Sequence, residues 1–158
     1  MTQAWITTSS TNVEAFINQL NAACNAGFVP GDPNLLENPG VTEEIDQALE
    51  MIDVIIDTYG GEEPDIHLTS LEADTEFDRI HEYIRVTIEE VDDEGGEVAV
   101  DIRPGRKFMS AIAFAAGIRY GADHVYNLYL HSSEHYGKLY PEMPRTAVRL
   151  YDFVEELR

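Results

Sequence analysis

Arg103, Pro104, Gly105, Arg106 and Lys107 stand together in a chain of formal charge −20, and three of its ten Lys and Arg residues fall within these five positions. No Lys or Arg precedes Arg79, so the cluster is a local concentration of positive charge and not a sample of the surface. Ahead of it, Glu97-Val-Ala-Val-Asp-Ile102 alternates and is β-branched like a strand. Behind it, Phe108-Met-Ser-Ala-Ile-Ala-Phe-Ala-Ala116 reads as a helix that is apolar almost all round, and such a helix is expected to be buried on more than one side. The cationic turn thus falls between a strand end and a helix N-terminus, where backbone N–H groups and the helix dipole favour an anion. The plainer reading is a solvated turn whose charges offset neighbouring acids.

The elements that must hold this turn follow one another regularly. Ala4–Thr8 reads as a strand, and Thr11-Asn-Val-Glu14 has capping-box spacing ahead of a helical stripe at Val13, Phe16, Ile17, Leu20 and Cys24, ended by Gly27. The Pro-rich segment 28–39 excludes a long central strand and leaves a brief one at Asn34–Glu37. Thr42 is expected to cap a second helix with Ile45, Leu49, Ile52, Ile55 and Ile56 on its core face, up to Gly60-Gly61. Asp65–Leu71 alternates as a third strand, and Thr75 is expected to cap a helix carrying Phe77, Ile80, Ile84, Ile88 and Val91, closed by Gly95-Gly96. After the cationic turn and its helix, Asp123–Leu130 is a fifth strand, His131–Lys138 a polar loop, and Ala147–Phe153 either a last strand or a short helix. Strands alternating with helices predict an α/β fold, a Rossmann-like mostly parallel sheet of about six strands with helices on both faces.

In such a sheet the ligand lies outside the carboxyl ends of the strands, where strand order reverses. The loop after strand one, Thr7-Thr8-Ser9-Ser10-Thr11-Asn12, is then expected to face Arg103–Lys107 after strand four. Hydroxyls and amides from Ser9, Ser10 and Asn12 opposite the charges of Arg106 and Lys107 suit phosphate oxygens. Capping of the first helix by Ser10 or Thr11 would use the same oxygens. Neither Gly-x-Gly-x-x-Gly nor Gly-x-x-x-x-Gly-Lys-Ser/Thr is present, which disfavours a dinucleotide oxidoreductase and a P-loop nucleotidase.

The opening strand with its Thr/Ser-rich loop, and above all Asp101-Ile-Arg-Pro-Gly-Arg-Lys-Phe-Met-Ser110, resemble the CRISPR-associated Rossmann fold (CARF) family, the match lying in Gly105, Arg106, Lys107, Met109 and Ser110. Pro104 stands where many relatives have a second Gly, and the first loop lacks a Gly often found there. The resemblance implies a homodimer whose paired loops bind a cyclic oligoadenylate, the second messenger of type III CRISPR defence. Thr8, Ser9, Ser10, Asn12, Arg103, Gly105, Arg106, Lys107 and Met109 would be its binding residues. The family usually joins this sensor to a nuclease or DNA-binding domain, and residues 1–158 read as one domain with no room for either. The resemblance therefore leaves two uses: a sensor signalling through a separate effector protein, or a metal-independent ring nuclease in which Lys107, Arg106 and Ser10 act on the phosphodiester. A Rossmann-like protein binding another phosphorylated metabolite is the third reading.

Thirty acidic residues against 2 Lys and 8 Arg suit high salt, point to a halophilic source and exclude non-specific DNA or RNA binding. No stretch is apolar for long enough to span a membrane, and the N-terminus lacks a basic region followed by an apolar run, so a cytoplasmic protein is expected. Cys24 reads as a buried thiol. His131, Glu134 and His135 are too few to fix a zinc ion on a loop, so no metal or cofactor is expected, and these histidines read as hydrated. The same loop, with Tyr136 and Lys138, is an alternative base-stacking cover for the ligand. Tyr126 and Tyr129 have opposite parity, one facing the core and one a helix layer. Asp101 either orients Arg106 or merely ends its strand, and His67 and His81 are assigned no role.

Overall fold

A computed structural model describes residues 2–157. Strands β1 (Gln3–Thr8), β2 (Asp32–Glu37), β3 (His67–Ser70), β4 (Glu97–Asp101), β5 (His124–Leu130) and β6 (Val148–Asp152) form one sheet in the order β3-β2-β1-β4-β5-β6. The first five pair in parallel and β6 runs antiparallel to β5. Helices α1 (Val13–Asn25), α2 (Thr42–Thr58), α3 (Phe77–Asp93) and α4 (Lys107–Arg119) are the crossovers, and a single turn, α5 (Phe153–Glu156), follows β6.

Each strand sends alternate side chains to opposite faces, and the core divides accordingly. Trp5, Leu35, Ala99 and Tyr126 pack with Phe16, Leu20, Ile45, Ile52 and Ile56 under α1 and α2. Ile6, Leu36, Val100 and Val125 pack with Ile80, Ile84, Ile88, Met109 and Ala113 under α3 and α4. Trp5 is buried in the middle of the sheet and stacks on Tyr126, ring centres 6.1 Å apart. Among the described residues no helix is long and apolar enough to cross a membrane.

The helices begin differently from the sequence expectation. The residues flanking α1, α2 and α3 on the N-terminal side are Asn12, Val41 and Glu76, and none makes a side-chain cap. Thr42 instead donates to Glu37 Oε1 at 3.0 Å, tying α2 to the end of β2. The strand β2 is central and six residues long despite Pro33, because its ladder with β3 begins only at Asn34. Burial is also redistributed: α1 is buried from Phe16 to Cys24, whereas α4 buries Met109, Ala113, Ala116 and Gly117 and leaves Ala111, Ala115 and Ile118 exposed. The second apolar side expected to be covered on α4 therefore faces outward in this chain. Beside it, the half-exposed Phe77 meets the Phe108 ring edge-on at 5.0 Å.

Candidate functional site at the ends of β1 and β4

Strand order reverses between β1 and β4, whose pairing ends at Ile6 and Val100, so the loops after them emerge side by side. They are locked together. Thr8 Oγ1 donates to Pro104 O at 2.7 Å, and Gly105 turns above it with φ +87°. A Cβ on Gly105 would lie 2.8 Å from Thr8 Oγ1 and 3.0 Å from Met109 Sδ. Only glycine satisfies both the backbone and the space. This turn aims the start of α4, where the Met109 and Ser110 N–H groups bond Arg106 O and those of Lys107 and Phe108 precede the first intrahelical bonds.

The cleft above this junction encloses about 250 Å³, walled by Ser9, Ser10, Thr11, Asn38, Pro39, Gly40, Asp74, Gly105 and Arg106. Ser9 Oγ is buried and accepts from the Asn38 N–H at 2.8 Å, joining the ends of β1 and β2. Asn38 Nδ2 reaches Met109 Sδ at 3.3 Å, and its Oδ1 has no partner among the described residues. Ser10 Oγ accepts from the Asn12 N–H at 3.2 Å just ahead of α1, so its hydroxyl proton remains available to a ligand. Arg106 is mostly exposed and donates through Nε to Asp74 Oδ2 at 2.8 Å.

The residues proposed from sequence do not all converge here. Ser9, Ser10, Gly105 and Arg106 wall the cleft, Lys107 is exposed on the first turn of α4 beside it, and Thr8 and Met109 are buried beneath. Arg103 and Asn12 line a neighbouring hollow of about 200 Å³ with Asn18, His135 and Tyr136. There Arg103 Nη1 donates to Leu128 O at 2.9 Å, which turns it toward the end of β5. Asp101 does not orient Arg106, which pairs with Asp74, and it does more than end its strand. Fully buried, it accepts from Thr7 Oγ1 and from the Arg103 N–H, both at 3.1 Å. Burial pushes its carboxyl up to about 8, against the pull of those two hydrogen bonds and the Arg103 charge.

His135 is buried, not hydrated, its Nε2 3.2 Å from Glu134 Oε1, while His131 packs edge-on against Tyr129. Tyr136 is exposed at the rim of the Arg103 hollow. Tyr126 faces the core as expected, but Tyr129 is half exposed and meets Tyr151 of β6, not a helix. Cys24 is buried, its thiol raised to about 12 by desolvation. Asn38 and Asp74 were missed from the sequence. The turn Asn38-Pro-Gly40 was readable as the end of the strand beside β1, whereas no local pattern places Asp74, 32 residues from Arg106, against it.

Fold and cleft together define a Rossmann-like domain with a cationic helix start at its switch point. The chain belongs to the CRISPR-associated protein NE0113 family, whose family model matches residues 5–155. No curated protein matches it significantly. Its fold is shared by CARF-domain proteins of known structure. Can2 from Sulfobacillus thermosulfidooxidans, in complex with cyclic tetra-adenylate, superposes with a TM-score of 0.58 at 12% identity over 78% of this chain and 31% of that one. A type III CRISPR defence DNA nuclease activated by cyclic oligoadenylate gives 0.57 at 18% identity over 83% and 19%. Enterococcus italicus Csm6 bound to cyclic hexa-2′-fluoro-hexa-dAMP gives 0.65 at 10% identity over 99% and 42%. The chain thus spans less than half the length of each.

Proposed function

We propose that this protein binds a cyclic oligoadenylate of type III CRISPR defence in the cleft between the β1 and β4 loops, with two chains meeting around a two-fold axis so that one ring engages both clefts. The observation that carries this reading is the meeting of Arg106 and the free N–H groups at the start of α4 with the Ser9–Ser10 loop, in a member of a CRISPR-associated family. A phosphate there exchanges the Asp74 carboxylate for its own oxygens on Arg106 and takes the Ser10 hydroxyl as a donor. Solved proteins of the same fold carry such rings, which supports the ligand class. The exposed Ala111, Ala115 and Ile118 face of α4, continued by Phe77, supplies apolar surface for the pairing.

A second reading, ring cleavage, is favoured by the placement of Ser10 and Arg106 in one cleft. The attacking group would be the ribose 2′-hydroxyl of the ring, and the protein would hold it in line while Arg106 and Lys107 stabilise the developing charge. No metal is required for that step. Incubation with cyclic tetra- and hexa-adenylate in EDTA and molar salt tests both readings. Complex formation without product supports a sensor acting through a separate effector. A linear product ending in a 2′,3′-cyclic phosphate supports cleavage, and the absence of both binding and cleavage overturns the proposal.

A further inference from the structure

A groove of about 600 Å³ lies away from this cleft, between α3 and the face of β2 and β3. Its walls are acidic, with Asp32, Asp65, Glu82, Glu90 and Glu94, and its Arg79 is taken up by Glu76 at 3.5 Å. Asp32 begins β2 and His67 begins β3. The pairing of Asn34 with His67 sets Asp32 beside Asp65, whose N–H donates to Gly31 O. Two carboxylates across a strand pair repel one another, and a cation between them would relieve that repulsion. The imidazole of His67 shares their face.

From these residues we infer a binding site for one divalent first-row transition cation, Zn²⁺ in preference to Mg²⁺, held by Asp32, Asp65 and His67. The three ligand atoms lie within 4.8 Å of one another. His67 Nε2 stands 3.4 Å from Asp32 Oδ1 and 3.5 Å from Asp65 Oδ2. The first is a long hydrogen bond and the second an ion-pair distance. Both also match the edge of a tetrahedron, roughly 3.3–3.6 Å, whose corners are N and O ligands about 2.0–2.2 Å from a zinc ion. A cation with three protein ligands keeps a fourth position for water. An imidazole in the set selects zinc over magnesium, which prefers oxygen ligands only. Bound there, the ion ties the exposed edge strand β3 to β2.

The test is a calorimetric titration of the chelator-stripped full chain with Zn²⁺ at neutral pH in molar sodium nitrate, which screens diffuse attraction to the acidic surface. One equivalent is expected to bind saturably, with Mg²⁺ failing to compete at equal concentration. His67→Gln and Asp32→Asn are each expected to weaken binding at least about tenfold, the loss that even outer partners of a metal ligand produce. Far-UV circular dichroism verifies that these variants fold. Co²⁺ in place of zinc is expected to give the intense visible absorption of a tetrahedral site in wild type and to lose it in His67→Gln. Binding of several equivalents without saturation, or a His67→Gln variant that titrates like wild type, overturns the site and leaves His67 as an ion-pair partner of two aspartates.

Discussion

Lys107 and Arg106 differ in what they must give up to meet a phosphate. Arg106 leaves Asp74, while Lys107 is exposed at the helix start. Each is expected to contribute about 1.5–3 kcal/mol to binding through charge-assisted hydrogen bonds. Arg106→Ala and Lys107→Ala should therefore each weaken cyclic oligoadenylate binding, read by titration, with the thermal midpoint unchanged. Asp101 predicts a pH effect of definite sign. Its folded carboxyl, at about 8, lies above the ordinary 3.8, so the fold keeps a proton that the unfolded chain releases. Its contribution to stability is whole below about pH 4 and is lost as pH rises toward 8. Urea denaturation across this range should show wild type losing ground to Asp101→Asn, with the gap constant above the upper limit. A difference between the two proteins that stays flat across this range would show that the carboxylate is already ionised in the fold.

Between elements, the β3–α3 connection reaches α4 through one ion pair, Asp74 to Arg106. Asp74 competes with any bound phosphate, so Asp74→Asn is expected to tighten cyclic oligoadenylate binding several-fold at low salt, with the advantage shrinking as salt screens the pair. Equal affinity in both proteins would mean that Arg106 takes no part in anion capture. The same junction separates what the sequence discloses from what it hides. The strand, the cationic turn and α4 were legible because period-two and helical patterns adjoin at Gly105, and the facing loop followed from the switch-point rule. Thr11, Thr42 and Thr75 signal the helix starts in the sequence, but none of α1, α2 and α3 has a side-chain cap, and the Thr42 hydroxyl bonds Glu37 instead. Asn12 and Arg103 belong to the right loops, but the β5 carbonyl of Leu128 draws Arg103 into the adjoining hollow. The His67 site joins two strands whose register no local pattern specifies.

On the scale of the molecule, a charge of −20 over 158 residues works against compaction in dilute buffer. The thermal midpoint is expected to rise steeply as KCl increases from about 0.1 M to about 2 M, because the Debye length falls from about 10 Å to below 3 Å. A midpoint that is flat over this range would remove the case for adaptation to high salt. The outward apolar face of α4 has the opposite dependence on water, and salt strengthens its burial. Sedimentation in molar KCl should then find a two-fold dimer. A monomer there would leave the proposed ring site without its second half.

The chain has one tryptophan, and the fold sets it at Trp5, packed on Tyr126 and three residues before the end of the strand that delivers Thr8 to the cleft. This makes the protein its own optical gauge. A single buried indole emits at short wavelength, gathers excitation from the tyrosine beside it and shifts to the red only when the central strand comes apart. Denaturation followed at the tryptophan band should therefore report, without a label, the opening of the strand that carries Thr8 to the cleft.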